Sequence, residues 1–387
     1  MKFSLYIKGR AFSFQIVKVL IRNDIFNYLV SSYPKFYIKK YGINKRFVKS
    51  FFFIEILQRV LIKINKILRL NFYIKIINFT DFVSDLIHSK FFINNSDVYL
   101  IGFGNSALFT LKKLKKKKIK SIYFLNNSSD AFFDQTLHDE YKKFNLPIPK
   151  INSSLRERIN LSIKNSDFIA AISTFQANTF IKDGLIDKNK IFVTSMGVDE
   201  NIFKPNKKKN KKFIVTTVAN DFIRKGIIYL IQAFNELNLS NSELWLIGNL
   251  DKNLSKKLVT LNNNIVFKGS INEFHLPKYY NESSIFCLPT LEDGGPMVIP
   301  QAMSCALPVI STYYCVAPDL IKNGVEGFLI ERRNKDAIKE KIQFFYDNEN
   351  QRLEMGNNAR NRILNEATWD IITDKIIFFS KNKLNKL

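Results

Sequence analysis

Apolar residues come in short continuous bursts along this chain, each closed by a polar or glycine-containing turn and followed by apolar residues at three- and four-residue spacing. From Asp97, Val98-Tyr99-Leu100-Ile101 reads as a buried strand, Gly102-Phe103-Gly104 as a turn, and Ser106 to Leu114 as a helix. Ile119 to Leu125 repeats the strand pattern, and Phe168–Ser173 followed by Phe175–Asp183 gives another strand and helix. Alternation of this kind predicts a parallel sheet wrapped by helices.

Phe203-Lys204-Pro205-Asn206 and the following Lys207 to Lys212 contain almost nothing to bury, so residues 201–212 read as a basic linker. The alternation then restarts. Phe213–Val218, Glu243–Ile247, Ile265–Lys268 and Ile285–Pro289 read as strands, and Gly226–Leu237 and Leu276–Asn281 as helices. The expected organisation is a domain over residues 1–200, the linker, a second domain over 213–368 and a last helix over 369–387. The fold class is α/β, with two doubly wound Rossmann-like domains facing across a cleft. Ligands of such sheets bind outside the carboxyl ends of the strands.

Composition modifies this picture only slightly. The chain has 387 residues, 46% hydrophobic and 24% charged, which is globular, and its formal net charge is +25. A charge of that size raises nucleic acid or anionic membrane as a partner. However, Lys, Asn, Ile and Phe are over-used everywhere, as in Phe51-Phe52-Phe53-Ile54, Asn262-Asn263-Asn264 and Lys115-Lys116-Lys117-Lys118. That is drift across the whole chain, and no nucleic-acid-binding module stands out, so nucleic acid is not an expected partner. Cys287, Cys305 and Cys315 form no C-x-x-C pair, which argues against a disulfide framework or zinc site and for a reducing cytoplasm. Met1–Ile7 begins like an export signal, but Lys8 and Arg10 cut the apolar run. Phe51 to Leu68 carries Glu55, Gln58, Arg59 and Lys63, so no segment is expected to span a bilayer. The same stretch sets Arg59, Lys63, Lys66 and Arg69 beside Phe52, Ile56 and Leu61, a face suited to peripheral contact with an anionic inner membrane surface.

Arg224, Lys225 and Gly226 stand immediately before the helix whose stripe is Ile227, Leu230 or Ile231, Phe234 and Leu237. Two cations at a helix N-terminus suit a bound phosphate; the plainer reading is two solvated basic residues in a Lys-rich chain. Ile285–Pro289 ends at Thr290-Leu291-Glu292-Asp293-Gly294-Gly295-Pro296, before a helix over Met297–Cys305 and a strand over Leu307–Ser311. Glycines there let a ligand approach the backbone, and carboxylates accept hydrogen bonds from sugar hydroxyls; the plainer reading is an ordinary strand-to-helix turn. Gly102-x-Gly104-x-x-Ala107 imitates a dinucleotide fingerprint, but the next strand ends at Asn126 with no acid for a ribose, so a nicotinamide cofactor is not expected. No D-x-D pair occurs, so a manganese site built on paired aspartates has no ligands here.

Asp293-Gly294-Gly295-Pro296-Met297-Val298-Ile299-Pro300-Gln301-Ala302-Met303 with Leu307-Pro308-Val309-Ile310 resembles the donor-site signature of family-4 glycosyltransferases, the retaining enzymes of GT-B fold. Ser166–Ser173, Met196-Gly197-Val198-Asp199, Arg224 to Phe234, Leu244–Gly248, Asn323–Phe328 and Met355–Arg360 extend the resemblance over roughly residues 165–370. The first half matches more loosely, through Gly9-Arg10-Ala11-Phe12, Ser32–Lys35 and Gln135–Tyr141. The resemblance implies transfer of a hexose-type unit, with retention, from a nucleotide-diphosphate donor on the second domain to a glycan or lipid-linked acceptor on the first. It also implies that the last helix, around Trp369, returns to the first domain. Lys225, helped by Arg224, would hold the donor phosphate. Of the family's paired glutamates spaced E-x7-E, the first falls on Asp293, which would meet the transferred sugar, and the second on Gln301, which would meet the ribose. Gly294, Gly295, Met297 and Val298 would complete the donor side, and Gly9, Arg10 and Ser128 the acceptor side. No metal and no other cofactor are implied.

The chain departs from the family pattern at Arg224, which differs from the usual residue beside the lysine, at Gln301, an uncharged amide where the second glutamate stands, and at two further places. Asn220 stands where an arginine often lies five residues before the lysine. After Leu125 come Asn126, Asn127, Ser128, Ser129 and Asp130 in place of a basic residue and a histidine, and the three histidines are His88, His138 and His275. Asp130 takes the histidine's position in the expected catalytic set of Lys225, Asp293 and Asp130. The alternatives are a catalytically silent nucleotide-sugar-binding protein and a basic surface adaptor.

Overall fold

The apolar bursts are strands buried on both faces, which is why they run without a polar alternation: all five residues of Phe3–Ile7 and of Val98–Gly102 are buried, as are all four of Ile285–Leu288. The computed structural model describes residues 1–8, 13–70, 72–102, 106–148, 152–206, 212–260 and 262–384. In it, β1 (Phe3–Ile7), β2 (Phe26–Ser31), β3 (Val48–Ser50), β4 (Val98–Gly102), β5 (Lys120–Phe124), β6 (Phe168–Ala171) and β7 (Ile191–Val193) form one parallel sheet in the order β3-β2-β1-β4-β5-β6-β7. A second parallel sheet contains β8 (Phe213–Val218), β9 (Ser242–Ile247), β10 (Ile265–Gly269), β11 (Ile285–Leu288), β12 (Val309–Thr312) and β13 (Gly327–Ile330), in the order β10-β9-β8-β11-β12-β13. Each sheet reverses its winding once, between β1 and β4 and between β8 and β11, and such switch points open a crevice at the strands' carboxyl ends. The apolar run at the N-terminus that begins like an export signal is β1, paired with β2 and β4.

The stretch expected to be a linker carries a buried side chain among its described residues. Phe203, the apolar exception in that stretch, is 3% exposed and sits in the core of the second domain. Its carbonyl accepts from Ser304 Oγ at 2.6 Å and from an Arg360 guanidinium N–H at 2.8 Å. Nearby, Val198 and Thr368 form a bridge, and the helix Trp369–Leu384 packs on the helix Ser13–Arg22, placing Trp369, Ile372, Ile376 and Ile377 in the first domain's core. A Cβ on Gly197 would lie 2.6 Å from the Trp369 ring, so a glycine is required where the chain crosses over.

The helix Ile227–Glu236 is buried beyond the single stripe its sequence predicts: Ile228 and Tyr229 are covered as well. The reason is tertiary. Tyr229 hydrogen-bonds Glu140 and accepts from Lys143 Nζ at 2.9 Å, and both partners lie on the first-domain helix Asp130–Lys143. Arg333 Nε donates to the same Glu140 at 2.5 Å, so this contact joins the two domains through buried charge.

Candidate active site

At the switch point of the second sheet, two loops meet. The loop from β8 carries Arg224 and Lys225 and ends at Gly226, whose φ of +66° and whose position against the Pro289 carbonyl, where a Cβ would come within 2.0 Å, both demand glycine. The loop from β11 is pinned by Leu291 N donating to Arg224 O at 2.9 Å and Asp293 N donating to Tyr314 O at 3.0 Å. This pinning brings Lys225 Nζ onto the Asp293 carboxylate and an Arg224 guanidinium N–H to Glu292 Oε1 at 3.0 Å. The anion that the two cations call for is thus supplied within the chain by adjacent carboxylates.

Lys225 is 8% exposed. Burial first, and the Arg224 guanidinium second, pull its ammonium down to about 7, against Glu292, Cys315 and Asp221, which act the other way. A cation so poised gains most from a phosphate, which would both neutralise it and replace its lost hydration.

Glu292 is fully buried and reaches across the cleft: it accepts from Ser128 Oγ and from Ser128 N, the latter at 3.3 Å. The sequence shows two consecutive acids, and only the fold separates their roles, with Asp293 on Lys225 and Glu292 bridging Arg224 to the first domain. Gly294 and Gly295 also face the first domain. A Cβ on Gly294 would lie 2.6 Å from Asn126 O, and one on Gly295 would lie 2.8 Å from Ile172 Cδ1. Ser173 Oγ donates to Gly294 O at 2.5 Å. These glycines therefore permit the close approach of first-domain backbone at Gly294 and of the Ile172 side chain at Gly295.

Met297 and Gln301 line a cavity of about 140 Å³ between the domains, with Phe14, Tyr41, Glu273 and Trp369 among its other walls. Val298 is half-buried and opens the helix Val298–Ser304. Asn220 has taken a structural role, its Oδ1 accepting from Asn249 N at 2.9 Å.

Asp130 is engaged by side chains of its own domain. Its carboxylate lies 3.3 Å from Arg156 Nε and accepts from Asn160 Nδ2 at 3.1 Å, at a separate cavity of about 250 Å³ within the first domain that Ser128 also lines. The first turn of its helix faces the neighbouring helix Ser153–Asn165, whose Arg156 and Asn160 engage the Asp130 carboxylate. Gly9 and Arg10 lie outside the described residues. His88 is buried and stacked on Tyr6, its Nδ1 2.9 Å from Thr110 Oγ1, and burial pulls it down to about 3; His138 is exposed on a helix face. Among the described residues no cluster of three or more His, Cys, Asp or Glu could hold a metal ion.

Sequence comparison agrees with this geometry. The model of the family described as glycosyl transferases group 1 matches residues 198–362, which contain both cleft loops. It is 30% identical over 229 residues to the capsular polysaccharide biosynthesis glycosyltransferase CapM of Staphylococcus aureus, a match covering 54% of this chain and 60% of CapM. It is also 30% identical over 223 residues to the UDP-Gal:alpha-D-GlcNAc-diphosphoundecaprenol alpha-1,3-galactosyltransferase of Escherichia coli, covering 51% of this chain and 55% of that one. These matches span little more than half of either relative's length. In fold, the whole chain superposes on the whole of Anabaena HepE, solved in complex with UDP and glucose, with a TM-score of 0.69 at 15% identity. The architecture is GT-B, two Rossmann-like domains.

Proposed function

We propose that this glycosyltransferase is a retaining, metal-independent hexosyltransferase that moves a sugar from a nucleoside-diphosphate donor on the second domain to a glycan or lipid-linked acceptor on the first. The observation that carries the reading is the buried Lys225, paired with Asp293 and flanked by Arg224, at the switch point of the second sheet. As the bond between the sugar and the diphosphate breaks, negative charge builds on the departing oxygens, and a fixed cation interacts more strongly with that charge than with the ground state. Lys225 and Arg224 supply this positive charge, and Asp293, released from Lys225 by the incoming phosphate, is free to accept hydrogen bonds from the sugar. The names of CapM and of the E. coli relative favour a polysaccharide or diphospholipid-linked acceptor, and HepE makes UDP-sugars the first donors to try. A donor screen that reads nucleotide release with and without acceptor, repeated with a chelator, tests the reading. Tight nucleotide binding with no turnover on any acceptor would establish the silent binding protein instead, and activity lost with the chelator would end metal independence.

The acceptor side carries a surface suited to a lipid carrier. The helices Phe53–Ile67 and Tyr73–Phe91 leave Phe53, Ile56, Val60, Ile64, Ile67, Tyr73 and Phe79 exposed, with Arg59, Lys63, Lys66, Arg69 and Lys75 exposed among them. No helix of the described residues is long and apolar enough to cross a membrane. Apolar side chains set among cations suit an interfacial position on anionic lipid at the inner membrane face. Flotation with anionic and neutral vesicles decides it, since equal recovery with both would sink the membrane contact.

A further inference from the structure

The second acid of the E-x7-E pair is Gln301 in this chain, and the fold has already engaged its amide. Glu273, in the short turn Glu273–His275, accepts from Gln301 Nε2 at 3.2 Å, and the hydroxyl of the fully buried Tyr280 donates to Gln301 Oε1 at 3.5 Å. The orientation of the amide follows from chemistry: an ionised carboxylate only accepts, so the atom facing Glu273 is the nitrogen, and the oxygen is left for Tyr280. Gln301 is 3% exposed, whereas Glu273 is half-buried at the wall of the same interdomain cavity. A vicinal diol presents two O–H donors, and a carboxylate with two acceptor oxygens matches it better than an amide with one acceptor and two donors.

Resting on the donor reading above, we propose that Glu273 is the diol-binding residue of this chain, taking the ribose hydroxyls of the nucleoside-diphosphate donor, and that Gln301 is a positioning residue that holds Glu273 in place. The carboxylate missing at position 301 is thereby supplied from position 273, on the turn after β10. Sequence reading does not find it, because 28 residues separate the two and no motif links them.

The test is calorimetric binding of UDP, GDP and ADP to the full chain, followed by the 2′,3′-dideoxy form of the tightest binder, with inorganic pyrophosphate as the probe of the phosphate subsite. The unaltered protein should prefer the ribose form by tenfold or more, the scale of a hydrogen bond to a charged group. Glu273→Gln and Glu273→Ala should bind both forms alike while keeping pyrophosphate affinity. Glu273→Ala combined with Gln301→Glu should regain the preference, because a carboxylate is then restored beside the same diol. Unchanged discrimination in both Glu273 variants would overturn the assignment while leaving the donor site intact. Failure of the unaltered protein to bind any of the three nucleotides would overturn the donor reading and this inference with it.

Discussion

The two crevices of this molecule share one topology and use charge in opposite ways. In the first domain, the crevice between β1 and β4 gathers Lys8, Asp81, Asp85 and Arg158. Asp85 accepts from Phe109 N at 2.9 Å and from Thr110 N at 3.0 Å, capping the helix Leu108–Lys116 from a neighbouring element, and Asp81 accepts from Ser106 N at 3.3 Å. Arg158 lies 3.8 Å from Asp81 and 4.0 Å from Asp85. Burial dominates, pushing Asp81 up to about 6 and raising Asp85. In the second domain, the crevice between β8 and β11 pairs Lys225 with Asp293 and Arg224 with Glu292 on two loops, and one of those carboxylates crosses to Ser128. Carboxylates that cap backbone N–H groups hold a fold together, whereas a carboxylate paired with a buried lysine can be exchanged for a ligand phosphate. Like topology therefore does not predict like function; what matters is whether the charges at the switch point answer the backbone or one another.

The comparison breaks first at Lys225. Lys225→Ala should lower kcat by about a hundredfold, on the order of 3 kcal/mol of transition-state stabilisation, with a smaller change in donor KM. Lys116→Ala, which removes one exposed charge, should change neither, and equally mild losses in both variants would reduce Lys225 to a surface cation.

Titration gives the next largest effect. Burial draws Lys225 down to about 7 in the free protein, so kcat/KM should fall toward tenfold per pH unit above that point. Arg224→Gln removes the second cause of the depression and should move this limb to higher pH; a limb that stays in place would assign it to another group.

Removing the bridge between the domains should cost less. Ser128→Ala and Glu292→Gln each leave Lys225 and Asp293 in place, so a loss in kcat of about tenfold is expected, one charge-assisted hydrogen bond in a buried site. The double variant should be no worse than the more damaging single one, because both remove the same contact.

The smallest effects belong to the first domain. Asp81 has a folded value of about 6 against an ordinary 3.8, so the folded state holds its proton over a range where the unfolded chain has lost it. Stability should then fall as pH rises from about 4 to about 6, and Asp81→Asn should flatten that slope, visible as a Tm change of a few degrees. Asp130→Asn should raise acceptor KM a few-fold and leave donor KM unchanged; a hundredfold loss in kcat would place Asp130 in the catalytic centre.

Legibility followed locality. Phe213–Val218 was readable as β8 without error because a fully buried parallel strand is a continuous apolar run, and the cleft loops were readable because Arg224-Lys225-Gly226 and Asp293 to Gln301 are contiguous. The glycines at 294 and 295 were visible, but the first-domain groups packed against them were not, since a sequence states that backbone can be approached and not what approaches it. Glu292 was visible as one of two acids, with nothing in the chain to say which would turn toward Ser128. Phe203 was lost in a basic stretch, because burial of a single side chain depends on what packs around it.

What the sequence by itself determined is therefore the set of local facts: the alternation that makes two parallel sheets, the two cations before the helix at Ile227, and the two acids and two glycines that follow the strand ending at Pro289. These follow from periodicity, steric restriction and contiguous charge, which act over a few residues. What only the tertiary structure decided is which distant groups meet: Glu273 with Gln301, Glu292 with Ser128, Asp130 with Arg156 and Glu140 with Arg333. Those contacts depend on how far each helix carries the chain before it returns and on the angle at which the two domains close, quantities set by packing over the whole molecule.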